Sequence, residues 1–232
     1  TGGRVSVLGE DAKHLSLREL ARRVGFVFQD PEHQFVKDSV LDELRFSLRV
    51  AGVDEGEMDE RISGILETLG LVGLEDRHPF SLSGGQKRRL SVAVVIISRP
   101  KMLILDEPTY GQDRAGTNEL MQSALALMND LDAGTKAVVV VTHDMRLVAD
   151  YATRAVAMSS GRVVFDGAPA DLFADAGLLE LANLEQPPVF SVIQRLHADG
   201  IVPAGVTDIE QLLDALCPPS AAPAASSQEA AS

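Results

Sequence analysis

Two carboxylates follow directly on four aliphatic residues in Met102-Leu103-Ile104-Leu105-Asp106-Glu107. A run that is apolar on both faces reads as a strand of a covered parallel sheet. Such sheets bind ligands beyond the carboxyl ends of their strands, where Asp106 and Glu107 would emerge. There, one carboxylate can hold Mg²⁺, directly or through water, and its neighbour can polarise a water for attack. Taken alone, the run fits equally well a strand that ends in an acidic turn. A second group, Leu82-Ser83-Gly84-Gly85-Gln86, opens a stretch of helical character. Glycines at a helix start let backbone N–H groups approach an anion, and the positive helix end favours phosphate. A flexible turn with a serine N-cap would use the same residues. Ser83 stands 23 residues before Asp106, and the combination is more specific than either part.

The elements that must position these residues alternate. Val24–Phe28 reads as a β-branched and aromatic strand that stops at Gln29-Asp30-Pro31, after a helix candidate over Leu15–Arg23. A short strand is expected at Arg4–Leu8. The pattern is helical from Ser39 to Leu71, where Met58, Ile62, Ile65, Leu66 and Leu69 form one apolar stripe. A further helix is expected over Leu82–Ile97, and within it Lys87-Arg88-Arg89 is most simply a solvated face. Val138–Val141 is a second strand apolar on both faces, and a helix over Thr117–Leu131 joins it to Met102–Leu105 as a βαβ crossover. Ala155–Met158 and Arg162–Phe165 read as a hairpin, followed by short helices broken at Pro187-Pro188 and Pro203. From Pro218 the chain is Ala, Ser and Pro, a disordered tail by composition.

With these residues in place, the chain resembles the nucleotide-binding subunits of ABC transporters. Leu82-Ser83-Gly84-Gly85-Gln86 looks like the ABC signature, and Ile104-Leu105-Asp106-Glu107-Pro108 like the Walker B motif with its glutamate. Phe28-Gln29 is similar to the Q-loop, Val140-Val141-Thr142-His143-Asp144 to the switch-histidine loop, and Gly111-Gln112-Asp113 stands where the D-loop falls. A lone histidine after a strand is more often structural than catalytic. This one ends a second buried-type strand 36 residues after Glu107, which favours function. The resemblance implies an α/β fold of the P-loop NTPase type, with a parallel sheet core and a helical subdomain at about 39–98. It implies ATP and Mg²⁺ as ligands. Asp106 would hold Mg²⁺ through water, and Glu107 would act as general base on the attacking water. Gln29 would sense Mg²⁺ and the γ-phosphate, and His143 would hydrogen-bond the γ-phosphate. Ser83, Gly84, Gly85 and Gln86 would bind nucleotide held by a second subunit, and Asp113 would link the two sites.

Finer similarity points to the energy-coupling-factor branch of cobalt, nickel and vitamin importers. It rests on Phe28-Gln29-Asp30-Pro31-Glu32-His33-Gln34-Phe35, on His143-Asp144-Met145 and on Leu184-Glu185-Gln186-Pro187-Pro188. The implied partners are a second ABC ATPase subunit, identical or related, a transmembrane scaffold subunit and a substrate-binding membrane subunit. The implied place is the cytoplasmic face of the cell membrane. The expected domains are an ATPase domain over 1–167, a C-terminal extension over 168–216 and a tail over 217–232. In that branch the extension helps to hold two ATPase subunits together, although Pro187-Pro188 also fits a linker kink.

Two departures qualify the resemblance. No G-x-x-x-x-G-K-[ST] run occurs, and no Gly is followed by Lys. That loop neutralises the β- and γ-phosphates. The expectation is therefore either truncation at the N-terminus or a degenerate subunit that donates its signature to a partner, with weak ATP binding by the chain alone. In the D-loop, Gln112 stands where the family usually has Leu. The motor of another ABC transporter class is an alternative.

The bulk composition excludes other classes. Lys and Arg number 21 against 34 Asp and Glu, a net charge of -13, which lacks the electrostatic footprint of a nucleic-acid binder. Cys217 is the only cysteine, so neither an internal disulfide nor a Cys metal cluster is available. The longest apolar runs, Val92–Ile97 and Ala137–Val141, are far short of the roughly 20 residues of a spanning helix.

Overall fold

The computed structural model describes residues 3–130, 137–203, 206 and 209–216. It divides into two compact units, with the division between Thr142 and His143.

The first unit opens with strands β1 (Ser6–Val7) and β2 (Glu10–Asp11), paired antiparallel. The strand expected at Arg4–Leu8 is cut short because Leu8 and Gly9 both take positive φ, 50° and 86°, and turn the chain back. Two such residues in succession are what a two-residue hairpin turn requires. Helix α1 (Leu17–Arg23) starts at a reciprocal cap between Ser16 and Glu19 and leads straight into strand β3 (Val24–Val27).

The helical stretch from Ser39 to Leu71 is two helices, α2 (Val40–Ala51) and α3 (Glu55–Thr68). Gly52 adopts the left-handed conformation (φ 74°) and closes α2, with the Val53 N–H bonding back to the Leu48 carbonyl. The expected stripe of Met58, Ile62, Ile65, Leu66 and Leu69 is buried.

Helix α4 (Gly84–Ile96) is followed by strand β4 (Met102–Asp106), helix α5 (Arg114–Asp130) and strand β5 (Ala137–Val141). The sheet order is β3-β4-β5, all parallel, so α5 is the crossover the sequence predicts. The second half of helix α4 is mostly apolar, and Leu90, Val92, Ala93 and Ile96 are buried. It lies so close to β3 that a Cβ at Gly25 would collide with Val95.

The two faces of the sheet differ in how far this chain covers them. Val27, Leu103 and Leu105 are buried, whereas Phe26, Val139 and Val141 on the other face are 39%, 41% and 51% exposed. The register puts Phe26, Ile104 and Val139 in one row, so the exposed side chains share a face.

The second unit contains α6 (Met145–Tyr151), the antiparallel strands β6 (Ala155–Ser159) and β7 (Arg162–Gly167), then α7 (Pro169–Ala174), α8 (Ala176–Ala182), α9 (Pro188–Ala198) and α10 (Ile209–Leu216). The expected hairpin is present, turning at Ser160-Gly161, both with positive φ. One core joins Leu172, Phe173, Leu179 and Phe190, and a second joins Ile193, Val202, Val206 and Leu212. The tail expected over 217–232 lies outside the described residues. No helix among the described residues is long and apolar enough to cross a membrane.

Candidate functional site

Strand β4 ends on Asp106, which is level with Val141 at the end of β5. Both strands run the same way, so the acidic pair emerges at the carboxyl edge of the sheet. Glu107 has φ 43°, a left-handed conformation that costs a non-glycine residue about 1–2 kcal/mol. Its surroundings hold it there. The Glu107 N–H donates to the Val141 carbonyl at 2.8 Å, and its own carbonyl accepts from the Tyr110 N–H at 3.0 Å. The carboxylate Oε2 accepts from the Thr142 hydroxyl at 3.3 Å. A residue kept in a sparsely populated conformation by several partners marks a site where orientation matters.

The loop after β3 carries Gln29, whose side chain is exposed. The turn of 3₁₀-helix over Pro31–Gln34 follows, capped by Asp30. Gln34 clasps this loop, since its Oε1 accepts from the Phe28 N–H at 3.2 Å and its Nε2 donates to the Ser91 carbonyl at 2.9 Å. Lys87 pairs with Glu32 at 2.5 Å.

Arg88 departs from the expected solvated face, with only 1% of its surface exposed. Its Nη1 donates to the carbonyls of Phe28 (2.5 Å) and Gln29 (3.1 Å), and its Nη2 to those of Asp106 (3.0 Å) and Glu107 (2.9 Å). Burial lowers the guanidinium pKa, and the negative charge of Asp106 opposes that shift. No side-chain pattern signals this burial, because the four acceptors are main-chain atoms of segments that meet only in the fold.

Ser83 and Gln86 cap α4 reciprocally. The Ser83 Oγ accepts from the Gln86 N–H at 3.3 Å, and the Gln86 Oε1 accepts from the Ser83 N–H at 3.0 Å. This cap uses an acceptor lone pair of Ser83 and leaves its O–H as a donor. Gly84 and Gly85 supply first-turn N–H groups that lack partners within the helix. Ser83 precedes Arg88 by five residues, about 7.5 Å along the helix axis.

Asp113 accepts from the Gly116 N–H at 2.7 Å and so caps α5. Gln112 reaches toward the signature, its Oε1 lying 3.6 Å from the position a Cβ would take on Gly85. His143 opens the second unit with an exposed side chain, beside Asp144, the N-cap of α6. The first unit thus joins the main chain at Gln29, Asp106 and Glu107 through Arg88, with Thr142 on the Glu107 carboxylate and Ser83–Gln86 at the start of the same helix as Arg88.

Among the described residues no three His, Cys, Asp or Glu side chains cluster as a metal cage. Two adjacent carboxylates at a strand end suit Mg²⁺, which keeps several waters and is shared between one or two carboxylates and substrate phosphates.

The ABC transporter family model matches residues 1–110. A putative ABC transporter ATP-binding protein of Pyrococcus furiosus is 39% identical over 212 residues, which cover 91% of this chain and 77% of that protein. The chain belongs to the ABC transporter ATP-binding family. Membership implies ATP binding, and the fold is that of the ABC ATPases. An energy-coupling factor transporter ATP-binding protein of Methanospirillum hungatei is 32% identical over 219 residues, covering 91% of this ABC chain and 54% of that protein. Among solved structures, cbiO1 from Clostridium perfringens, part of the ABC transporter complex cbiONQ, is similar with a TM-score of 0.66 and 30% identity. That match covers 84% of this chain and 77% of cbiO1. The chain spans about a third of the length of several other curated relatives.

Proposed function

We propose that this chain binds and hydrolyses ATP to energise an ABC-type importer of metal ions or vitamins. The observation that carries the proposal is the placement of Glu107, held in a left-handed backbone at the sheet edge with its carboxylate beside Thr142 and its carbonyl tied through Arg88 to the Gln29 loop. The energy-coupling factor protein and cbiO1 support the transporter type, and a putative HMP/thiamine import ATP-binding protein of Bacillus subtilis, 40% identical over 189 residues, supports a vitamin as cargo.

In this reading Glu107 orients a water and accepts its proton as the water oxygen attacks the γ-phosphorus and ADP leaves. Asp106, through water, and Gln29 would hold Mg²⁺. Bound Mg²⁺ supplies positive charge to the phosphate oxygens. His143 hydrogen-bonds the γ-phosphate. The signature, Ser83 to Gln86, meets the nucleotide of a second ATPase subunit, and Asp113 joins the two sites. The ATPase domain spans 1–167 and the extension over 168–216 supports subunit pairing. A transmembrane scaffold and a substrate-binding membrane subunit complete the assembly, which works on the cytoplasmic face.

The test is ATP turnover by the assembled complex with Glu107→Gln. The isosteric amide keeps the packing and removes the base, and turnover should fall by about 10²-fold or more. Unchanged turnover would assign hydrolysis to a partner subunit and leave this chain as a signature donor.

A further inference from the structure

We propose that Arg88 is a positioning residue that holds the glutamine loop and the acidic pair in one frame, so that Gln29 and Glu107 address the same nucleotide. The inference rests on the ATPase reading above. It starts from the geometry of the fork. One terminal nitrogen of Arg88 bonds two carbonyls of the loop after β3, and the other bonds two carbonyls at the end of β4. The four acceptors come from two loops separated by more than seventy residues of chain and adjacent in the sheet.

Three features argue for more than the satisfaction of stray carbonyls. First, Arg88 is almost wholly buried and its Nε has no hydrogen-bond partner, so the side chain is committed to this pair of loops at a desolvation cost. Second, one of its acceptors is the carbonyl of Glu107, whose left-handed backbone must be held from outside. Third, Arg88 sits one turn beyond the reciprocal cap of Ser83 and Gln86, on a helix also joined to the glutamine loop by Lys87 and Ser91. A rigid element therefore runs from the signature to both loops. Lysine keeps the charge and much of the stem, but its single nitrogen cannot span both carbonyl pairs, whereas a planar guanidinium can.

The test compares Arg88→Lys with the unaltered protein in the assembled complex, with folding checked by thermal unfolding. Turnover per folded complex should fall by about 10- to 100-fold, the size expected when reacting groups are misplaced. The KM for ATP should move by less than about threefold, since the lost interaction orients groups rather than binds substrate. Amide hydrogen exchange should rise together in 28–30 and in 107–110. Turnover within twofold of the unaltered protein, or faster exchange in only one segment or in neither, would overturn the proposal. If the unaltered complex and Glu107→Gln turn over ATP alike, the ATPase reading fails instead, and the exchange result still decides whether Arg88 frames the two loops. Should the lysine variant not fold, Arg88→Gln takes the same readouts.

Discussion

Ser83 both caps a helix and belongs to the signature-like run Leu82–Gln86, and two substitutions separate these roles. In Ser83→Ala the bond from the Gln86 N–H is lost, and the return bond from the Ser83 N–H to Gln86 loses its reciprocal partner. Loss of an N-cap side chain costs about 1 kcal/mol. For a domain of this size that is a fall in Tm of about 2–4 °C. In Ser83→Asp the cap persists, because aspartate ranks with serine at this position and its charge suits the positive helix end. Stability should therefore stay within a few tenths of a kcal/mol, and Tm within about 1 °C. The chemical consequence runs the other way. The serine O–H is free to donate while its lone pair caps, whereas a carboxylate only accepts and carries negative charge toward a phosphate. The aspartate complex should thus be as stable as the parent yet lose most of its ATP turnover. Calorimetry and a phosphate-release assay on the same samples give both numbers. Full turnover by Ser83→Asp would refute the placement of nucleotide at this helix end, leaving Ser83 a cap and nothing else.

Two further outcomes concern the fold. Burial raises the pKa of Glu43, against the pull of the Val36 and Lys37 N–H groups that its Oε1 accepts. A raised carboxyl pKa favours the folded state below the ordinary value of 4.5, and that advantage is lost as pH rises through the folded value. Urea unfolding at pH 4 and pH 7 should therefore show the parent losing ground to Glu43→Gln as pH rises, and a gap independent of pH would contradict this. Gly25→Ala should destabilise by about 1–3 kcal/mol because the new methyl meets Val95, and a second change, Val95→Ala, should recover part of the loss in the same denaturation assay.

The chemistry-bearing segments were legible where local sequence alone dictates structure. Met102–Asp106 had four aliphatic residues and a turn to declare it a strand, and Ser83 with Gln86 spelled out a capping box. The split between α2 and α3 was readable in Gly52-Val53-Asp54, a left-handed terminator followed by a helix N-cap, yet the helical reading from Ser39 to Leu71 has no break there. Arg88 and Glu43 were not legible. Both are charged residues that main-chain partners bury: for Arg88 the carbonyls of distant loops, for Glu43 the N–H groups of the segment just before its own helix. Hydropathy patterns report side chains and are blind to such acceptors and donors. The exposure of Val139 and Val141 was likewise invisible, because the pattern of a strand states which residues can be covered, not what covers them.

On the proposed ATPase reading, the positive φ of Glu107 sets stability and activity against each other at one position. Glycine is the residue best suited to that backbone, and replacing glutamate by glycine there would relieve strain of about 1–2 kcal/mol while deleting the carboxylate. Drift under selection for folding alone would thus favour a silent site. If Glu107 is the general base of the proposed hydrolysis, glutamate stands there against the preference of its own backbone, and any selection for stability alone would act against activity.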